Sequence, residues 1–116
     1  MGYSRTVRVG ATVLVSGCTA ATPDGEVVGE GDVGAQTRAC IAAIERALAL
    51  AGARLDQVVQ TRVYATDISR WEDVARAHGE VFGEVRPVNT FVQVSALIDP
   101  RMLVEIEAQA YAPPGG

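Results

Sequence analysis

Few side chains in this sequence can do chemistry, and most of them fall in one stretch. Between Arg86 and Tyr111 the chain reads RPVNTFVQVSALIDPRMLVEIEAQAY. Alternate residues place Asn89, Phe91, Gln93, Ser95 and Leu97 on one face of a first strand. Glu105, Glu107, Gln109 and Tyr111 share one face of a second. The remaining residues, from Thr90 to Ala96 and from Val104 to Ala110, form oily faces. Carboxylates and amides set among Phe91, Leu97 and Tyr111 suggest a face that meets a ligand or another subunit. A carboxylate such as Glu105 can act as a general acid/base or hold a water; the bland alternative is a charge balancing Arg62 across the sheet. Glu107 reads as a structural or inter-subunit ion pair. Asn89 could bind a ligand through its amide or simply enter a strand beside Pro87.

Outside this stretch the candidates are fewer. Cys18 can line a cleft, but acting as a nucleophile needs a nearby base or a positive field. Cys40 sits among alanines on a helix and reads as core. His78, the single histidine, is a possible acid/base or a packed ring. Arg5 is either a solvated edge-strand arginine or a cation for the site.

The elements that must position these groups follow from patterning. Arg5–Val9 alternates as a short strand, Gly10-Ala11 is a turn, and Thr12–Ser16 is a β-branched strand. Residues 22–31 (TPDGEVVGEG) form a loop. Asp32 caps a helix over 33–51, with Thr37, Ile41, Ile44, Leu48 and Ala51 as its apolar stripe and Gly52 as its stop. Val58–Thr66 is a third strand, with Val59, Thr61, Val63 and Ala65 facing one way. Ser69 and Glu72 suggest a capping box for a helix over 70–82, ended by Gly83 and Pro87. The two strands of Arg86–Tyr111, joined by a short turn, complete the order β-β-α-β-α-β-β. This is a two-layer α/β sandwich with both helices on one side of the sheet. The uncovered side predicts self-association.

The chain has 116 residues and a formal net charge of −4. That length fits one domain, residues 1–112, followed by a Pro/Gly tail at 113–116. Ten arginines and no lysine, with net negative charge, argue against nucleic acid as the main partner. Two cysteines without metal-ligand spacing and one histidine exclude a Cys/His zinc site. No apolar run approaches the length of a membrane span and the N-terminus does not read as a secretory signal, so a cytoplasmic protein with reduced thiols is expected.

Several segments together carry a family resemblance: Tyr3-Ser4, VLVSG at 13–17, DGEVVG at 24–29, AQTRACIAAIERALALAGARLDQVVQTRVYATDI at 35–68, the helix ending at Phe82, and VEIEAQA at 104–110. The chain resembles the RidA (YjgF-type) family, whose best-known members hydrolyse reactive enamines and imines. The resemblance implies a chorismate-mutase-like fold and a homotrimer with helices outside and sheets inside. It implies ligand sites in clefts between subunits, with no metal or organic cofactor. By the same resemblance Glu105 places the attacking water, Tyr3 borders the cleft, and Ser16, Gly17 and Cys18 form the loop whose backbone faces the ligand. In imine-hydrolysing members the segment after the second helix reads Pro-Ala-Arg-Ser, and its Arg binds the substrate carboxylate. Here it reads Pro87-Val88-Asn89-Thr90, so an uncharged amide replaces the guanidinium.

The leading expectation is therefore a small-molecule hydrolase of C=N or activated C=C bonds. Asn89, Phe91 and the Gly17 loop orient the substrate, and that substrate is not a simple 2-imino acid. A non-catalytic ligand-binding or regulatory trimer is the second reading. A ribonuclease or translation inhibitor is the third.

Overall fold

A computed structural model describes residues 1–114. Its elements are β1 (Thr6–Val9), β2 (Thr12–Cys18), α1 (Val33–Leu50), β3 (Val58–Ala65), α2 (Trp71–Phe82), β4 (Val88–Gln93) and β5 (Val104–Tyr111). Short 3₁₀ turns at Leu55–Gln57 and Ile68–Arg70 precede β3 and α2. The five strands form one sheet in the order β1-β2-β5-β3-β4. This is the expected two-layer α/β sandwich. Pro113 and Pro114 are exposed; the last two residues of the expected tail lie outside the described part. Among the described residues no helix is long and apolar enough to cross a membrane.

Local signals explain most of the elements. Asp32 caps α1 by accepting a hydrogen bond from the Ala35 amide. Gly52, at φ 75°, takes the left-handed conformation that stops it. Gly10 does the same in the β1–β2 turn. Ile41, Ile44, Leu48 and Cys40 of α1 pack with Val13 and Val15 of β2, Val63 of β3, and Val104 and Ile106 of β5 in one buried core. Arg8 and Thr6 of β1 hold the end of α1 through the Ala51 and Ala47 carbonyls. Gln36, fully buried, accepts from the Leu103 amide and donates to the carbonyls of Gly29 and Arg101, tying the two long loops to α1.

Four readings change. First, β4 and β5 are not a hairpin. β3 lies between them, parallel to β4 and antiparallel to β5. A parallel pair needs a crossover connection, and α2 supplies it. Second, β4 faces the other way. Asn89 and Phe91 stand beside Thr61 and Val63 of β3, both buried on the helix side, while Thr90 and Val92 join Arg62 and Tyr64 on the open side. Alternation sets which residues share a face but not which face is inside. The larger Phe91, packed against the core, decides it. The strand also ends at Gln93, so Ser95 and Leu97 belong to a loop. Third, a bulge between Val58 and Gln60 turns Val58 inward and leaves Val59 45% exposed. Fourth, Ser69 does not form a capping box with Glu72. Asp67 caps the 3₁₀ turn instead, accepting from the Ser69 amide and hydroxyl.

Candidate functional site

One end of the sheet gathers the start of β1, the end of β2, the start of β5 and the end of β3. Here β2 is bulged. Val15 pairs with Ala108 and Cys18 with Ile106, so Ser16 and Gly17 both oppose Glu107. The bulge bends the strand and turns the Cys18 side chain into the core, where it is 3% exposed.

Glu105 lies against the bulge. A Cβ on Gly17 would stand 2.1 Å from Glu105 Oε2 and 2.8 Å from its Cδ. Only the missing side chain of Gly17 leaves room for the carboxylate. Across the sheet Glu105 is paired in register with Tyr64. Arg62, the arginine that could have neutralised it, is bonded to Glu107 at 3.1 Å. The Tyr64 hydroxyl also donates to Glu107. Glu107 is thus the structural member of the pair, and Glu105 has no side-chain hydrogen-bond partner among the described residues. Burial raises the pKa of Glu105 above the ordinary carboxylate value; the Arg5 charge works against this and Glu107 adds to it. A cleft of about 240 Å³ opens here, lined by Gly17, Tyr64, Val94, Ala96, Leu97, Glu105 and Glu107.

Arg5 is the cation of this region. Its Nη1 donates to the Ser16 hydroxyl (2.8 Å) and to the carbonyls of Gly17 (2.5 Å) and Ser16 (3.2 Å), and approaches Cys18 Sγ at 3.7 Å. Its Nη2 reaches the Tyr3 hydroxyl at 3.4 Å, and the guanidinium lies 5.8 Å from the Tyr3 ring centre. Tyr3, Ser16, Gly17, Cys18 and Glu105 therefore meet within one chain. Cys18 takes part through its backbone position. Its thiol is pushed up by burial, which Arg5 partly offsets, so it is a poor nucleophile. The Cys40 thiol is likewise raised by burial.

Asn89 and Phe91 are elsewhere in the same chain. Asn89 is paired with Thr61 of β3, three residues before the partner of Glu105, which is about 10 Å along the strand. It also lies on the opposite face and two strands away. The Thr61 hydroxyl donates to Asn89 Oδ1 at 2.9 Å and bonds His78 Nε2 at 2.9 Å. Burial lowers the basicity of His78, and its ring packs against Phe82 at 4.7 Å between centres. This triplet between α2 and the sheet was not foreseen. The signal was a threonine on a buried strand face, whose hydroxyl requires a partner. Phe91 is half-buried against the core. Among the described residues no cluster of His, Cys, Asp or Glu could hold a metal ion.

Comparison with known proteins adds a wider frame. The family model described as Endoribonuclease L-PSP matches residues 1–112. A crystal structure of a Mycobacterium tuberculosis member of the YjgF/YER057c/UK114 family shares 51% identity, covering 96% of this chain and 87% of that one at a TM-score of 0.85. An uncharacterized Streptomyces coelicolor protein is 39% identical over 95% of this chain and 81% of its own. The 3-aminoacrylate deaminase RutC of Acinetobacter baylyi is 33% identical over 85% of this chain and 78% of its own.

Proposed function

The chain belongs to the Endoribonuclease L-PSP (YjgF/RutC) family, and on that footing we propose that it is a hydrolase of small enamines and imines. The observation that carries the reading is Glu105: a desolvated carboxylate, left unpaired while its neighbour Glu107 takes Arg62 and Tyr64, seated on Gly17 at the mouth of a cleft. A carboxylate in that setting is poised to hold and deprotonate a water. The similarity to a 3-aminoacrylate deaminase supports the substrate class.

The step proposed is a hydrolysis without redox change. Glu105 takes a proton from water as the oxygen bonds to the imine carbon, and the C=N electrons move to nitrogen, which takes that proton back from Glu105. The hydroxyl proton then passes through Glu105 to the amine nitrogen, the C–N bond breaks, ammonia leaves, and a carbonyl forms. An enamine enters the same path after its carbon is protonated to the imine.

The cleft is proposed to be completed by a neighbouring subunit of a homotrimer. The open sheet face carries Val7, Leu14, Val88, Val92 and Tyr111, each between 39% and 67% exposed, and burying such a face favours association. Asn89, remote from Glu105 in its own chain, belongs to this reading as a group contributed from the adjacent subunit. The test is ammonia release from 3-aminoacrylate and from 2-aminoacrylate generated in situ. Wild type is expected to accelerate release and Glu105→Gln to abolish the acceleration. Equal rates with and without wild-type protein would leave the non-catalytic binding trimer as the better reading.

A further inference from the structure

Glu105 and Glu107 stand two residues apart on the same face of β5, and both line the cleft of about 240 Å³. Arg62 is bonded to Glu107 but does not itself line the cleft. Arg5 gives its Nη1 to the Ser16 and Gly17 carbonyls and lines the pockets on the α1 side of the sheet, beside Leu50. No arginine or histidine among the described residues lines the cleft. It therefore offers a ligand two carboxylates and no cation. Asn89, the group proposed to come from the adjacent subunit, adds an uncharged amide.

The other wall is apolar. It is made by Val94, Ala96 and Leu97, from the loop that follows β4. That loop is anchored at both ends. The Val94 amide donates to the Ala65 carbonyl, and Asp99 accepts from the Arg101 amide and guanidinium. A space this size falls below the range of about 300–1,000 Å³ that suits drug-sized ligands, so its ligand is small. A ligand carboxylate would bring a further anion beside Glu105 and Glu107 with no cation to pair it, and a desolvated charge left unpaired is costly. A protonated imine reverses the sign. Its positive charge lies on the reacting C=N group itself, where Glu105 can pair with it.

We propose that this cleft selects a protonated aldimine or ketimine that carries a short apolar substituent and no carboxylate. The C=N group lies at Glu105 and the substituent rests on Val94, Ala96 and Leu97. The inference depends on the hydrolase reading above and names its substrate class. Glu107 is the specificity-determining residue, because it ties up the Arg62 charge that would otherwise welcome an acid. The hydrolysis described above then starts one proton richer. The first proton of water reaches nitrogen through Glu105, the hydroxyl proton follows, and ammonium leaves in place of ammonia.

The test has two arms. In the first, a flavin amine oxidase acting on isobutylamine supplies an aldimine in situ. An amino acid oxidase acting on valine supplies the imino acid with the same side chain. Ammonia release above the uncatalysed rate gives kcat/KM for each. Wild type is expected to favour the aldimine by tenfold or more. Glu107→Gln frees Arg62 and is expected to cut that preference at least tenfold. Leu97→Ser should lower turnover of the isobutylamine product more than that of the ethylamine product, mainly through KM. The second arm needs no turnover. Isobutyramidinium, a stable planar cation shaped like the protonated aldimine, and isobutyrate are titrated by calorimetry. The amidinium is expected to bind wild type at least tenfold more tightly than the anion and to lose that advantage in Glu105→Gln. An imino-acid preference in wild type, whichever subunit supplied the cation, would overturn the proposal, as would ratios unmoved in both Glu107→Gln and Leu97→Ser. Amidinium binding without turnover of either imine would sink the hydrolase reading and keep the charge selectivity. Turnover that depends on Glu105 but favours the acid would do the reverse; neither binding nor turnover would sink both.

Discussion

Glu105 occupies the space in which a side chain on Gly17 would sit, with Oε2 only 2.1 Å from the position of a Cβ. The glycine is required by close approach and not by its backbone angles, since Gly17 is absent from the positive-φ residues. The groups that would clash are those of the Glu105 side chain, which can rotate away. Gly17→Ala should therefore cost little stability, under about 1 kcal/mol, while displacing the carboxylate. The expected outcome is a melting temperature within a few degrees of wild type and a kcat about 100-fold lower. A fully active Gly17→Ala would show that the position of Glu105 is not used.

Glu105→Gln keeps the shape and removes the base. Activity should fall by about 10²–10⁴-fold. Stability should move the other way. The pKa of Glu105 is raised, chiefly by burial, so the folded state holds its proton more tightly than the unfolded chain does. Its favourable contribution is present below the ordinary carboxylate range and is lost as pH rises through the folded value. At pH 7 the ionised group is a cost. Thermal melts should show Glu105→Gln more stable than wild type at pH 7, with the gain shrinking toward pH 4.

The same shift sets the pH dependence of turnover. The acid limb of kcat/KM should lie above the ordinary carboxylate range, because the base works only when ionised. Arg5 is the charge that opposes the rise, so Arg5→Gln should push the limb higher still. A limb that moves downward in Arg5→Gln would contradict the placement of the guanidinium beside the carboxylate.

Thr61→Val would strip the shared partner from His78 Nε2 and Asn89 Oδ1. The cost should be about 1–3 kcal/mol, read by chemical denaturation. The His78 contribution also has a sign. Its basicity is lowered by burial, so its stability is present above the ordinary histidine value and is lost as pH falls through that range. His78→Gln should flatten the decline in melting temperature between pH 7 and pH 5.

Leu14, 42% exposed on the open sheet face, tests the assembly. Light scattering should give wild type about three times the 12.2 kDa chain mass. Leu14→Arg should dissociate it toward the monomer and lose activity with it. A monomeric wild type would sink the shared cleft.

The strands and helices were legible because their signals are local. The 3-4 spacing of Ile41, Ile44 and Leu48, the cap at Asp32, the stop at Gly52, and the strict alternation of Val104–Tyr111 each depend on neighbours along the chain. The family was legible in the same way, from segments such as VLVSG and VEIEAQA. What alternation could not supply was a sign. Asn89 and Phe91 share a face whichever way β4 turns, and only pairing with Thr61 and Val63 put that face against the helices.

Glu105 shows the division most clearly. The sequence by itself determined that a carboxylate stands on the uncovered face of β5, and that Gly17 and Arg5 are present near the start of the chain. Tertiary structure alone decided that Arg62 goes to Glu107, that a bulge at Ser16-Gly17 opens a seat for Glu105, and that Arg5 closes over that bulge. The reason is physical. Which of two carboxylates is neutralised depends on cross-strand register, and register is settled by the whole sheet closing over its core.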